Sequence, residues 1–225
     1  MVQRFLIILL LFPLFAQSQQ REDLRFWASA SYSHDLNKKW TIGIDNEARW
    51  ENNASRLGRY FFEPTVRYNV SDLFRIQLQH RFIRDFSDRW WGNRNRVTLD
   101  AVFRIKQARW RYLLRSRFQY ERNGYGFIDE TQSIPELYAR QSAKVNYKIN
   151  RFWEPFVSAE VRILIQDDAV PGFIGIDRFR LKAGTDYNLS RKLTLGAFIM
   201  MQEEINRPRN DRLTVLGLEI TWNGL

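Results

Sequence analysis

The stretch from Arg94 to Arg122 alternates apolar and polar side chains in two runs, with a short break at Gln107-Ala108 between them. A period of two indicates extended strands, because successive side chains of a strand point to opposite faces. Each run is longer than an ordinary strand of roughly five or six residues. It is also long enough for a tilted strand to cross a bilayer, which takes ~9–11 residues. The stretch therefore predicts one amphipathic hairpin with an apolar face and an arginine-rich face.

The same alternation recurs along the chain from Leu24 to Trp222, and no convincing helical pattern interrupts it. The breaks between the runs are short turns near residues 38, 71, 107, 150 and 191 and longer loops near residues 55, 89, 129, 170 and 208. Regular alternation of turns and loops is typical of outer-membrane barrels, and aromatic residues gather near the strand ends, as interfacial girdles require. We predict an all-β fold: an antiparallel up-and-down transmembrane β-barrel with short periplasmic turns and longer outer loops.

The number of strands needs a separate argument. The runs count to about eleven strands, whereas bacterial single-chain barrels nearly always have an even number. An odd number would also make the first and last strands run in the same direction. We therefore expect roughly 10–12 strands and favour 12. A soluble barrel with an apolar core would show the same period, but so many long strands exceed the eight of a lipocalin-like barrel.

The N-terminal segment, MVQRFLIILLLFPLFAQS, differs from the rest of the chain. Arg4 precedes a short apolar core, and Ala16-Gln17-Ser18 has the small-x-small pattern of a cleavage site, as in secretory signal peptides. An N-terminal membrane anchor is the alternative, but the apolar run is shorter than the roughly 20 residues of a spanning helix. We predict a signal peptide over residues 1–18 and a single outer-membrane β-barrel domain over residues 19–225, located in the outer membrane of a Gram-negative bacterium.

The chain is basic, with 35 Lys and Arg against 25 Asp and Glu. A charge of this sign can indicate nucleic-acid binding, but the signal peptide and the spread of basic residues at strand spacing argue against a nucleic-acid partner. Arginine favours dense ion pairing, because its planar guanidinium can hold a carboxylate with two bonds. The residues that we expect to line the lumen are Arg67, Arg75, Arg81, Arg96, Arg104, Arg111, Arg115, Arg117, Arg140, Arg162, Arg178, Arg180, Glu47, Glu63, Asp100, Glu121, Glu160 and Asp186.

Two functions follow from a lumen of this composition. An arginine–carboxylate lattice that fills a narrow barrel predicts a non-enzymatic protein with an envelope-support role. The excess of fixed positive charge instead favours a small anion-preferring channel, because such charge attracts anions. Barrels of this strand number fall between the filled eight-stranded type and the open porins, so geometry leaves both interpretations open. The expected partners are outer-membrane lipid and, for a channel, small anionic solutes.

Catalytic and metal-binding groups are scarce. The chain has no Cys and two His, His34 and His80, without zinc-type spacing, so we expect neither a metal nor a cofactor. His80 shares the apolar parity with Leu78, which would suit a lipid-modifying enzyme with a Ser–His pair on its outer wall. Ser116 is the only serine on that parity in the central hairpin, and a strand is expected to lie between it and His80. We therefore predict no catalytic residues and keep the lipid-modifying enzyme as a second alternative.

Four segments carry a resemblance to a known family: Tyr32 to Trp40 (YSHDLNKKW), Ala54 to Tyr60 (ASRLGRY), Arg94 to Arg96 (RNR) and Ser116 to Glu121 (SRFQYE). They resemble an uncharacterised family of Bacteroidetes outer-membrane proteins, the domain of unknown function DUF2490. The resemblance covers nearly the whole mature chain. It implies a β-barrel in the outer membrane, and it carries no catalytic residues.

Overall fold

The computed structural model describes residues 21–87, 91–123, 136–167, 174–206 and 211–224. The predicted signal peptide and most of the predicted loop near residue 129 lie outside these residues. No helix in the described ranges is long and apolar enough to cross a membrane.

The described residues contain eleven strands. They are β1 (Arg21–Asp35), β2 (Trp40–Glu51), β3 (Arg56–Asn69), β4 (Phe74–Phe86), β5 (Trp91–Gln107), β6 (Trp110–Asn123), β7 (Glu136–Tyr147), β8 (Trp153–Asp167), β9 (Gly175–Asn188), β10 (Leu193–Glu204) and β11 (Asp211–Gly224). Each strand pairs with its neighbours in sequence, and β1 pairs with β11, so that the sheet closes into one barrel. The predicted fold class is confirmed, with one strand fewer than the favoured twelve.

The barrel closes through a parallel pair. β1 and β11 run in the same direction, with registered partners from Arg21 and Asp211 to His34 and Gly224. Ser33 Oγ donates a hydrogen bond of 2.9 Å to Asn223 Oδ1 across this seam. An odd number of strands joined by hairpins leaves the first and last strands parallel, and the structure accommodates this by pairing them directly.

The strands extend farther than expected at two of the predicted loops. Residues 52–55 separate β2 from β3, and residues 87–90 separate β4 from β5. Asp85 lies near the end of β4 and binds Arg59 Nε of β3 at 2.5 Å and Arg94 Nε of β5 at 2.6 Å. These ion pairs hold together the ends of β3, β4 and β5 beside the two loops.

The outer wall is apolar and is bordered by aromatic pairs. Leu78 and Phe118 are about half exposed on it. At the end of the barrel that carries the short turns, which we call the turn end, the ring centroids of Trp110 and Tyr147 lie 4.6 Å apart. At the other end, the loop end, those of Phe26 and Trp50 lie 5.6 Å apart. Aromatic belts at both ends of an apolar band are typical of barrels that cross an outer membrane.

An apolar cluster lies inside the barrel, where the sequence predicted a polar lumen. Its buried members are Trp27, Phe156, Phe198, Met200, Leu213 and Val215. Two glycines make room for the aromatic rings, because Gly184 of β9 and Gly217 of β11 are both paired with Phe198 of β10. Small, large and small residues therefore lie side by side on β9, β10 and β11, and the Phe198 ring fills the space that the two glycines leave.

Gly217 provides a direct test of that packing. A Cβ atom at this position would lie 2.0 Å from Cζ of Phe198, which is itself buried. We expect Gly217→Ala to lower the free energy of unfolding by about 1–3 kcal/mol, the usual cost of overpacking. Urea unfolding of the refolded barrel in lipid vesicles measures it. In a Phe198→Leu background the same substitution should cost much less, and an equal cost in both backgrounds would contradict the packing described here.

Candidate functional site

The predicted lumen residues lie on the strand faces that form the inner wall, and most of them meet as ion pairs. Glu160 of β8 is the most connected carboxylate among the described residues. It binds the guanidinium nitrogens of Arg115 at 2.8 Å, Arg180 at 3.1 Å and Arg140 at 3.4 Å. The three arginines lie on β6, β9 and β7, so one carboxylate connects four strands. The result is a lattice rather than a set of isolated pairs.

Other carboxylates extend this lattice to further strands. Asp100 of β5 accepts two hydrogen bonds of 2.6 Å from Arg117, the bidentate geometry that suits a guanidinium. Arg117 Nη2 also donates to Gln79 Oε1 of β4 at 2.9 Å. Glu121 accepts a bond of 2.7 Å from Arg96 Nε. These groups are buried, so the charges compensate one another inside the barrel.

Asp177 is a buried lattice member that sequence analysis missed. It is fully buried and accepts a hydrogen bond of 2.8 Å from Arg162 Nε. Asp177 lies two residues before Phe179, so strict alternation would place both side chains on the outer wall. Arg162 and Ile163 of β8 are opposite Arg178 and Ile176 of β9, so Asp177 is the extra residue of a β-bulge in β9. Such a bulge changes which side chains face inward. No signal in the sequence indicates this bulge.

Basic side chains outside the predicted set also lie within the interior. Arg49 Cζ lies 3.7 Å from the centroid of the Trp27 ring, and Lys182 Nζ lies 3.6 Å from that of Phe198. Cation–π contacts of this kind are favourable, and more so when water is excluded. The apolar cluster and the charged lattice therefore share one interior instead of forming separate layers.

A cavity of about 450 Å³ remains inside the barrel. Its wall contains nine Lys or Arg residues and four Asp or Glu residues. Glu160 and Asp100 are among the four acids, and each already binds arginine. The space therefore has an excess of positive charge, and the chemistry that it offers is the binding of anions.

Three of the twelve predicted arginines form no ion pair with the described residues. They are Arg67, Arg75 and Arg104, on the neighbouring strands β3, β4 and β5 near the turn end. Each of the other nine binds at least one carboxylate. The unbalanced positive charge of the predicted set is thus gathered in one part of the inner wall.

The outer wall does not bring His80 and Ser116 together. His80 pairs with Val97 of β5, and its ring centroid lies 4.3 Å from that of Phe82. Ser116 Oγ of β6 instead donates a hydrogen bond of 2.7 Å to Gln141 Oε1, and β5 separates the two residues. In the described ranges, no group of three or more His, Cys, Asp or Glu side chains could hold a metal ion.

A closed barrel with an apolar outer wall and a polar interior defines an outer-membrane-type β-barrel. The chain belongs to the family described as "Protein of unknown function (DUF2490)", whose sequence profile matches residues 24–214. The family resemblance seen in the sequence is confirmed. No curated protein matches the chain.

Two solved structures are similar to this barrel. A bacterial polysaccharide outer membrane secretin matches with a TM-score of 0.54 and 19% identity, over 80% of this chain and 63% of that chain. This chain therefore spans less than two thirds of the secretin's length. The translocator domain of the autotransporter NalP from Neisseria meningitidis matches with a TM-score of 0.37 and 11% identity, over 80% of this chain and 73% of that one. At its level of identity, the likeness to the secretin shows the fold alone.

Proposed function

We propose that the protein is a non-enzymatic outer-membrane β-barrel, exported by a cleaved signal peptide, whose filled interior gives it an envelope-support role. The observation that carries this proposal is the lattice around Glu160, which connects strands that are not neighbours in the sheet. Lys182 and Glu219 add a similar contact of 2.8 Å between β9 and β11. Contacts that reach past the adjacent strand brace a barrel in a way that backbone hydrogen bonds alone do not.

The outer surface supports a position in the outer membrane. Its apolar side chains face away from the charged lattice, and the aromatic belts lie at the two ends of this apolar band. Trp and Tyr rings favour the level of the lipid headgroups, where one side of the ring is apolar and the other is wet. Outer-membrane lipid is therefore the proposed partner of this surface.

Ion conductance tests the filled interior. We expect the refolded chain, shown by urea unfolding to be folded and inserted in a planar bilayer, to give no discrete conductance steps. The lattice and the apolar cluster surround the cavity of about 450 Å³, and we expect them to leave no continuous water path from one end of the barrel to the other. A porin of known conductance in the same bilayer serves as the control. Regular single-channel steps from this protein would contradict a filled lumen.

A small anion-preferring channel is the second candidate, and the cavity with nine basic and four acidic residues favours it. Fixed positive charge raises the local concentration of anions and lowers that of cations. If the bilayer shows conductance steps, the reversal potential in a salt gradient should then indicate anion preference. A cation preference would contradict the electrostatic argument as well.

A further inference from the structure

The three arginines without a carboxylate partner form a compact group, which we call the arginine trio: Arg67, Arg75 and Arg104. In the pairing of β3 with β4, Arg75 is opposite Asn69, two residues beyond Arg67. In the pairing of β4 with β5, Arg75 is opposite Val102, two residues before Arg104. Such diagonal neighbours on one face of a sheet are about 7–8 Å apart, within reach of long side chains. Arg75 therefore lies between the other two arginines.

The hydrogen bonds of the trio go to neutral groups, and no carboxylate of the described residues forms an ion pair with it. Asp45 and Asp100 attract Arg67 and Arg75, respectively, only from a longer distance. Arg67 Nε donates to Gln77 Oε1 at 3.2 Å, and Arg104 Nη2 donates to Asn69 Oδ1 at 3.0 Å. No hydrogen bond or ion pair joins Arg75 to the described residues, and the Nε atoms of Arg75 and Arg104 are buried without an acceptor. Buried donors without acceptors are costly, so the arrangement leaves several N–H groups ready for a further acceptor.

The position of the trio suits a ligand that enters from the turn end. Arg75 lines the inner cavity, and Arg104 lies three residues before the end of β5 at the turn to β6. Gly43 faces this part of the wall, and a Cβ atom there would lie 3.6 Å from Nη2 of Arg67. Gly43 therefore places no side chain against that guanidinium.

The number of charges indicates which anion fits. Three guanidinium groups without an ion-paired carboxylate repel one another, and the nearby carboxylate of Asp45 would neutralise one of them. A phosphate monoester carries a charge of about −1.5 to −2 at neutral pH and has three strong acceptor oxygens. Arginine recognises such oxygens with two parallel bonds.

We propose that the arginine trio is a binding site for a phosphate-class oxyanion at the turn end of the lumen. The oxyanion completes the hydrogen bonds of Arg75 and cancels the repulsion among the three guanidinium groups. The phosphoryl group comes either from a soluble phosphate or from a lipid with a phosphate monoester headgroup, such as phosphatidic acid, beside the turns. The site does not depend on whether the barrel conducts ions.

Isothermal titration of the full refolded barrel with inorganic phosphate tests this site, in zwitterionic micelles and at constant ionic strength. We expect saturable binding of one phosphate per barrel. Arg75→Gln should weaken binding by about tenfold or more, since it removes charge-assisted bonds. Arg191→Gln, which removes the same charge at an exposed turn position, should leave binding nearly unchanged.

Two results would overturn the proposal. One is the lack of saturable phosphate binding by folded protein. The other is an equal loss in the Arg75 and Arg191 variants, which would mark ordinary counterion screening. If Arg75→Gln does not refold, Arg104→Gln provides the same comparison from the neighbouring strand.

A competition experiment distinguishes a soluble phosphate from a lipid headgroup as the source of the phosphoryl group. In nanodiscs that contain phosphatidic acid, a lipid headgroup at the site should weaken the binding of inorganic phosphate relative to nanodiscs that contain phosphatidylglycerol at the same surface charge. Unchanged binding would assign the site to a soluble phosphate. Either result supports the trio as an oxyanion site. Conductance is recorded separately, so that a failure of the filled-barrel proposal and a failure of this site are distinguishable.

Discussion

Glu160→Gln should lower the free energy of unfolding of the barrel by about 3–5 kcal/mol, the usual cost of removing one partner from a buried ion pair. The carboxylate is 13% exposed and binds three guanidinium groups. The amide keeps the shape of the side chain but removes the negative charge. Arg115, Arg140 and Arg180 would then repel one another without compensation.

The same strand offers a matched control for this substitution. Glu154 of β8 binds only Arg111 among the described residues, and the Arg111 side chain is 40% exposed. Glu154 is 14% exposed, about as much as Glu160, but its one partner is open to water. Because ion pairs with a solvated partner contribute about 0–1 kcal/mol, Glu154→Gln should cost less than Glu160→Gln. Urea unfolding in lipid vesicles measures both variants. A loss at Glu160 no larger than that at Glu154 would show that the lattice does not brace the barrel.

Local alternation was sufficient to predict the wall of the barrel. The side chains of Thr98 and Leu99 lie on opposite faces of β5, one almost fully buried and the other about half exposed, as a period of two requires. The alternation is a property of each strand's own sequence, so it can be recognised without knowing which strands are its partners. The fold class followed from it for the same reason.

Features that depend on the register between strands could not be predicted from the sequence. Asp177 faces inward because a bulge shifts the pairing of β8 with β9. Phe198 is an apolar residue on an inner face, where the space for its ring is created by Gly184 and Gly217 on the neighbouring strands. Alternation identifies a face, but it does not indicate what stands opposite a side chain across the barrel.

The closure of the barrel by β1 and β11 and the partners in the ion pairs could not be predicted from the sequence, for a related reason. Nothing in the sequence near Ser33 indicates that it meets Asn223, because that contact depends on the path of the whole chain. Likewise the sequence predicted Arg115 and Glu160 as lumen residues without predicting their pairing. The two side chains meet past the intervening strand β7, and such contacts depend on the curvature of the barrel.

The outer wall allows a test of membrane immersion that is independent of the interior. Leu99 lies in the middle of β5, is 48% exposed, and pairs with Leu78 and Phe118 on either side. In a soluble barrel an arginine at such a position would project into water at little cost. In a membrane barrel the same arginine would be placed in hydrocarbon, where no water compensates its charge.

We therefore expect Leu99→Arg to lower the free energy of unfolding in lipid vesicles by about 2–4 kcal/mol, the cost of arginine at the bilayer midplane on the lipid face of a barrel. Leu189→Arg is the control, because Leu189 is similarly exposed but lies in the turn between β9 and β10, outside the apolar band. That substitution should change stability by less than about 0.5 kcal/mol. Equal, small effects of the two substitutions on urea unfolding would mean that the apolar wall does not face lipid, and the proposed location in the outer membrane would have to be abandoned.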